Sequence, residues 1–130
     1  MSRFRDVLYS YLSSYAGLTA LVENKIYPAD RIPQGTVAPY IPHKEVSRER
    51  LMTHQGPAGA SIYSQQISVY AATDDAAGVI ADQVLAAVEA WPAADSKMGY
   101  AHLDNETDAT WVEELSLYCI DMDFEIFYED

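Results

Sequence analysis

The chain has 130 residues, enough for one domain with a buried core, and its composition of 49% hydrophobic and 22% charged residues is that of a globular protein. Twenty acidic residues against eight basic ones give a formal net charge of -12, which argues against a protein that neutralises nucleic-acid phosphates or binds an anionic membrane surface. The single cysteine, Cys119, cannot form a disulfide within the chain and predicts a buried thiol in a reducing compartment.

The first predicted element is an amphipathic helix. Its apolar residues recur at the spacing of one helical face: Phe4, Val7, Leu8, Tyr11, Leu12 and Tyr15. Ser2 is predicted as the N-cap, Gly17 as the stop, and residues 18–22 as a short helical turn. Charges spaced through this segment indicate a helix rather than a signal peptide, and no apolar run approaches the roughly 18 residues of a membrane span.

The next segment is rich in proline and glycine. Residues 26–35 are predicted to be extended, because each proline biases the residue before it towards β or polyproline geometry. Residues 40–46 are predicted as a strand. We therefore expect an extended arm at residues 27–39 that leads into this strand.

A loop, a strand and a second helix follow. Residues 48–61 are predicted as a flexible loop because of their Gly-Pro and Gly spacing, and residues 62–72 as a strand. One face of that strand carries Tyr63, Gln65, Ile67, Val69 and Ala71. Thr73 is the predicted N-cap of a helix that ends just before Pro92. The apolar stripe of this helix comprises Ala77, Ile80, Ala81, Val84, Val88 and Trp91.

The last third of the chain predicts a β-hairpin, with strands at residues 98–103 and 111–128 and a turn region at 104–109. The apolar phase of the second strand changes near Cys119, which indicates either a β-bulge or a strand buried on both sides. The order is α-β-β-α-β-β. We therefore predict one α+β domain over residues 1–130, with a mostly antiparallel sheet of about four strands and two helices packed on it.

Motifs that would indicate an enzyme or a cofactor site are missing from the sequence. It contains no dinucleotide or P-loop fingerprint and no zincin motif, and His43, His54 and His102 lack metal-ligand spacing. The segment DNETDATWVEEL resembles a calcium loop but has alanine at position six and leucine at position twelve, where glycine and a bidentate carboxylate are needed. We therefore predict no catalytic, cofactor or metal residues.

Charged side chains concentrate in two places. The basic cluster comprises His43, Lys44, Arg48 and Arg50. Asp121, Asp123 and Glu125 alternate along the last strand and should point from one face. This acidic strip predicts either a solvated sheet face or an assembly surface. General acid–base chemistry would also need a pocket that separates the pKa values of the carboxylates.

Four segments in this order resemble the tail completion or tail terminator proteins of long-tailed phages and prophages. They are KIYPADRIPQGTVAPYIPHKEVS, THQGPAG, SQQISVYAATDDAAGVIADQV and DMDFEIFYED. Each motif is weak by itself, but their order and spacing are fairly specific and cover nearly the whole chain.

The resemblance implies a structural virion protein rather than an enzyme. Such proteins form a ring, typically of six copies, at the head-proximal end of the tail tube, where the ring ends polymerisation and joins the capsid connector. The implied partners are other copies of this chain, the tail tube protein and the head–tail connector protein, with no sequence-specific nucleic acid, membrane or cofactor. The implied location is the virion tail, after assembly in the bacterial cytoplasm.

An assembly interface is expected on the arm, the loop and the acidic strip. Its predicted residues are Arg31, Tyr40, Arg48, Arg50, His54, Asp121, Asp123 and Glu125. The arm could lie against a neighbouring subunit or serve as a stiff connection within one chain. An acidic ring lumen would let DNA pass without adhering, because like charges repel.

Two other functions remain open at this point. The first is a head–tail stopper or adaptor, since connector proteins can share a fold. The second is a small soluble enzyme or binding module with an acidic strand face, which a deep pocket with convergent carboxylates would support.

Overall fold

A computed structural model of the chain describes residues 3–53 and 56–129. The helices are α1 (Phe4–Ser14), α2 (Ala16–Val22) and α3 (Asp74–Ala94). The strands are β1 (Ile26–Pro28), β2 (Ile41–Thr53), β3 (Gly56–Ala71), β4 (Met98–Glu106), β5 (Thr110–Val112) and β6 (Leu117–Glu129). The predicted α+β class is confirmed, but the described residues form three helices and six strands rather than two and four.

The six strands form one mixed sheet in the order β1-β2-β3-β6-β4, and β5 also pairs with β6. Every pairing is antiparallel except that of β1 with β2, which is parallel. The two strands that were not predicted as separate elements, β1 and β5, have three residues each. Runs this short carry too little alternation to be recognised by their period.

The helices pack on one face of the sheet. The predicted alternation in β3 is confirmed, since Tyr63, Gln65, Ile67, Val69 and Ala71 are all buried on this face. The neighbouring strand β6 contributes a matching apolar stripe to the same face: Ile120, Met122, Phe124 and Ile126. Trp91 of α3 packs in the same core. Alternation therefore decides which face of each long strand the helices cover.

The first helix ends earlier than the sequence indicates. Tyr15 is its C-cap, whereas the predicted stop, Gly17, lies inside α2. A Cβ atom at Gly17 would meet the flexible end of the Gln83 side chain on α3, which would have to move, so the glycine lies at the contact between α2 and α3 instead of ending α1. The predicted N-cap, Ser2, lies outside the described residues.

The third helix begins as predicted and continues past its predicted end. The Thr73 hydroxyl oxygen accepts a hydrogen bond from the Ala76 N–H at 3.1 Å, which confirms the N-cap. Pro92, however, lies inside the helix. The last turn is still closed by the Asp95 N–H, which donates to the Trp91 carbonyl at 3.0 Å. A proline this close to the end removes only one hydrogen bond of the helix.

The prediction of a loop at residues 48–61 is wrong in its secondary structure. Strands β2 and β3 run through this segment and pair as far as Thr53 and Gly56. Pairing of β3 with β6 starts only at Ala60, so the hairpin extends roughly 13 Å beyond the rest of the sheet. Ladder hydrogen bonds come from the backbone, so polar side chains do not end a hairpin. His54 lies outside the described residues.

The long strand predicted at residues 111–128 is two strands, β5 and β6, joined by a turn at residues 113–116. The predicted turn at 104–109 is shorter, because β4 continues to Glu106. Register between β3 and β6 is unbroken past Cys119, so no bulge lies there in this pairing. Cys119 and Ile120 are both buried although adjacent side chains point to opposite faces. The phase change therefore reflects burial on both faces.

The proline-rich segment is anchored at both ends. Residues 26–28 pair with β2, and the Ala29 N–H donates to the His43 carbonyl at 2.8 Å. The Lys25 ammonium donates to the Val37 carbonyl at 3.0 Å. Between these anchors the side chains of Arg31 and Val37 are exposed. Within one chain the segment is thus a surface connection, and its contact with a neighbour stays a prediction.

Candidate functional site

The predicted acidic strip lies on the sheet face that carries no helix. Asp121, Asp123 and Glu125 are half-buried and alternate with the core residues of β6, as the sequence indicates. Side chains two residues apart on one strand are roughly 7 Å apart. The three carboxylates therefore form a line along the middle of the sheet.

Side chains from the neighbouring strands donate to each carboxylate of the strip. The Ser68 hydroxyl donates to Asp121 at 2.7 Å, and the Gln66 amide donates to Asp123 at 3.3 Å. Glu125 lies 3.2 Å from both the Tyr100 hydroxyl and the Nε2 atom of His102. These cross-strand contacts hold the strip as a fixed polar surface of the sheet.

A second charged feature, which we call the basic cavity, lies on the helix-bearing face. It has a volume of about 930 Å³ and lies between the first turn of α1, the end of β1 and the outer half of the β2–β3 hairpin. Its cationic lining residues are Arg3, Arg5, Lys44, Arg48, Arg50 and Lys97. Six of the eight basic residues in the sequence therefore border one cavity, although Lys44 is opposite Gln66, which donates to Asp123, so its side chain points to the other face of the sheet. Among the described residues three carboxylates also line it, which leaves a local excess of positive charge in that part of the chain.

A β-bulge directs the arginines of β2 into this cavity. Pairing with β3 shifts by one residue between Glu45 and Ser47, so that Arg48 is opposite Tyr63 and Arg50 is opposite Ser61. Residues opposite each other on antiparallel strands share a face. Without the extra residue, both arginines would point to the other side of the sheet.

The walls of the cavity are partly apolar, and contacts between their side chains fix the positions of these side chains. Phe4 stacks on Tyr63 with ring centroids 4.1 Å apart, and its ring also meets Tyr128 edge-on at 5.5 Å. The Arg48 guanidinium lies 5.1 Å from the centroid of the Tyr63 ring and donates to the Ser61 hydroxyl at 2.9 Å. Cations therefore surround an aromatic floor.

His43 supplies a buried polar atom at the cavity. Only 3% of the residue is exposed, and its Nε2 atom has no hydrogen-bond partner among the residues that the structure describes. Burial, followed by the nearby Arg5 charge, lowers the pKa of His43 to about 4. The imidazole is therefore neutral at pH 7 and adds no charge to the six cations.

Most cations of the cavity have no partner of opposite charge. Among residues 3–53 and 56–129, no carboxylate oxygen lies within 4.0 Å of a side-chain nitrogen of Arg3, Arg5, Lys44, Arg50 or Lys97. Unpaired cations around an open, partly apolar cavity are suited to receiving carboxylates or phosphates.

The predicted interface residues fall into separate places. Arg48 and Arg50 meet in the basic cavity, and the three acidic residues form the strip on the opposite face. Arg31 is exposed on the connection between β1 and β2. Tyr40 is 6% exposed in the single chain and stacks on Tyr70 with ring centroids 5.2 Å apart, and its place in an assembly interface stays a prediction. His54 lies outside the described residues.

The predicted buried thiol is confirmed. Cys119 lies beside Asp121 on the face opposite the core, with Sγ 3.4 Å from the carboxylate. Burial and the Asp121 charge raise the pKa of Cys119 to about 11. The thiol is therefore protonated at neutral pH and is a poor nucleophile.

Three members of the cavity were missed in the sequence analysis: Arg3, Arg5 and Lys97. They are distant in sequence from the basic cluster on β2, and no local pattern links them to it. In the part of the chain that the structure describes, no three potential metal ligands come together, and no helix is long and apolar enough to cross a membrane.

Comparisons with known proteins agree with the resemblance seen in the sequence. The family model described as "Tail completion protein gp17" matches residues 6–129. Eighteen chains of solved structures match. One of them, from the virion of a native gene transfer agent particle, has a TM-score of 0.74 and 21% sequence identity, and the match covers 95% of this chain and 92% of that chain. At this identity the likeness shows a shared fold. No curated protein matches.

Proposed function

The chain belongs to the tail completion protein gp17 family, a family of phage tail structural proteins, and from this premise we propose that it caps the head-proximal end of the tail tube as a ring. The ring ends tube polymerisation and provides the surface that joins the head–tail connector. The observation that carries the proposal is the family match over residues 6–129.

The surface of the described residues supports an assembly role. Large apolar side chains are exposed at several separate places, among them Val37, Met52, Trp111 and Leu115. The β2–β3 hairpin also extends beyond the sheet, where it can reach another subunit. Apolar side chains exposed on more than one side suit a subunit that is contacted by several neighbours.

The acidic strip gives the ring a surface that DNA does not bind. We place Asp121, Asp123 and Glu125 towards the lumen, because their face of the sheet carries no helix and is polar. Carboxylates repel the phosphates of passing DNA. Changing all three to Asn, Asn and Gln should leave ring formation intact and make the ring retain DNA in a co-sedimentation assay.

Electron microscopy of negatively stained tail tubes tests the proposed function. Tubes are grown from the tube protein of the same genome, with and without the purified chain. We expect shorter tubes, each with a ring-shaped cap at one end. Tailless DNA-filled heads of the same phage provide the second arm of the test. Binding to those heads alone, with tubes that grow normally and uncapped, would show a stopper or adaptor instead.

A further inference from the structure

Charge is distributed unequally between the two ends of the sheet. At one end, where β6 finishes, lies the basic cavity. At the other end, the hairpin of β5 and β6 closes in the turn at residues 113–116, which we call the acidic turn. From Met98 to the C-terminus the sequence has ten carboxylates and no Lys or Arg. The two ends are roughly 37 Å apart along β6.

The acidic turn has the shape and the chemistry that the basic cavity can accept. Glu113 and Glu114 are exposed at its tip, and Trp111 and Leu115 beside them are 49% and 48% exposed. The cavity combines cations with an aromatic floor of Phe4, Tyr63 and Tyr128. Carboxylates flanked by apolar side chains complement both features.

The turn is ordered before any contact with a partner. The Leu115 N–H donates to the Val112 carbonyl at 3.2 Å, and the Ser116 N–H donates to the Glu113 carbonyl at 3.2 Å. Trp111 also packs edge-on against Tyr118 at 5.1 Å. Docking such a turn costs little conformational entropy.

On these grounds, and resting on the proposed ring, we propose that the acidic turn of one copy docks into the basic cavity of the next copy. The contact joins opposite ends of the sheet, so it is heterologous and each copy uses both surfaces once. A heterologous contact whose rotation closes generates a ring.

The occupant is a turn rather than the acidic strip or DNA. Carboxylates of the strip already accept hydrogen bonds from Ser68, Gln66 and Tyr100, and they lie on a sheet face that cannot enter a cavity. A phosphate backbone would face the net charge of -12 and has no apolar groups for the aromatic floor. Two copies also repel each other as a whole, but salt near 0.15 M screens that repulsion beyond about 8 Å, so contacts between closely apposed groups dominate.

Paired charge reversals test this contact without removing any core residue. The cavity variant carries R50E and K97E, and the turn variant carries E113R and E114R; all four side chains are exposed in the single chain. Arg48 is left unchanged because it contacts Ser61 and Tyr63. The control matched to the turn variant is D82R with E89R on the exposed side of α3, which makes the same positive change in net charge elsewhere, whereas the cavity variant, whose net charge changes in the opposite direction, is controlled by its rescue on mixing.

Sedimentation velocity at about 0.15 M salt measures self-association over a series of concentrations. Each reversed variant alone should associate at least about tenfold more weakly than the original chain, because like charges then meet at the contact. The control should associate at least as well as the original chain. An equal mixture of the two variants should regain association, since the acidic turn of one variant fits the basic cavity of the other and the basic turn fits the acidic cavity. One chain with all four changes should regain it as well.

Carbodiimide cross-linking of a mixture of ¹⁴N- and ¹⁵N-labelled chains locates the contact. We expect mixed-isotope cross-links between Lys97 and Glu113 or Glu114. The proposal is overturned if charge reversal is not rescued by mixing, or if the chain stays monomeric to about 1 mM without these cross-links. It is also overturned if R50E/K97E loses binding to a DNA oligonucleotide while its self-association is unchanged.

This readout separates the contact from the proposed function. If tail tubes acquire ring caps but the charge swap fails to rescue self-association, the ring is held by other surfaces. If mixing the two charge-reversal variants restores self-association but tail tubes stay uncapped, the contact between copies is supported and the tail-capping function is refuted.

Discussion

His43 should make the fold sensitive to acid. Its imidazole is buried, its Nε2 atom has no hydrogen-bond partner within residues 3–53 and 56–129, and burial lowers its pKa to about 4. In the unfolded chain the pKa returns to about 6.5. Between these two pH values the unfolded state binds the proton and the folded state does not. Stability therefore falls as the pH drops from about 6.5 to about 4, and this contribution is constant above and below that window.

The size of the effect follows from the two pKa values. A difference between 6.5 and about 4 corresponds to roughly 3 kcal/mol of unfolding free energy lost across the window, with a slope near 1.4 kcal/mol per pH unit at its steepest. Carboxylates of the chain also change stability in acid. The variant His43→Gln keeps these carboxylates and removes the imidazole, so the difference between the two curves isolates His43.

Urea unfolding at several pH values, at concentrations where the chain is monomeric, measures this difference. NMR titration of the His43 resonance gives the second readout. We expect the original chain to lose stability relative to His43→Gln below about pH 6.5. Parallel stability curves, or a His43 resonance that titrates at the ordinary pKa of about 6.5, would refute the assignment of a buried neutral imidazole.

Three further predictions concern backbone space, capping and the thiol. Gly99→Ala should lower the free energy of unfolding in urea, because a Cβ atom there would collide with the Phe127 ring. Gly78→Ala places its Cβ atom in open space and should stabilise α3 by about 0.5–1 kcal/mol. Equal effects of the two variants would contradict the packing argument. Thr73→Ala should cost about 1 kcal/mol and Thr73→Ser much less, and a neutral alanine variant would show that the cap bond contributes nothing. Cys119 should react with a thiol reagent only on unfolding, because it is buried and its pKa is raised to about 11; fast labelling of the native chain would oppose this.

Features with a strong local period could be predicted from the sequence. The buried face of β3 and the acidic strip of β6 were placed correctly, because alternation in a strand follows from its backbone geometry. The start of α3 was also correct, since its N-cap is a local hydrogen bond of Thr73. Short elements and helix ends could not be predicted in the same way. Gly17 lies inside α2 beside Gln83, and Pro92 lies inside α3, although both were expected to mark helix ends.

The sequence by itself determined the α+β class and the faces of the long strands, because these depend on residues near one another in the chain, and it determined the family resemblance through the order of four short segments. Only the tertiary structure decided the basic cavity. Arg3 and Lys97 reach it from different elements, and the bulge after Glu45 turns Arg48 and Arg50 towards it. A bulge arises from pairing with a partner strand, so the side to which those arginines point is fixed only once β2 and β3 are joined.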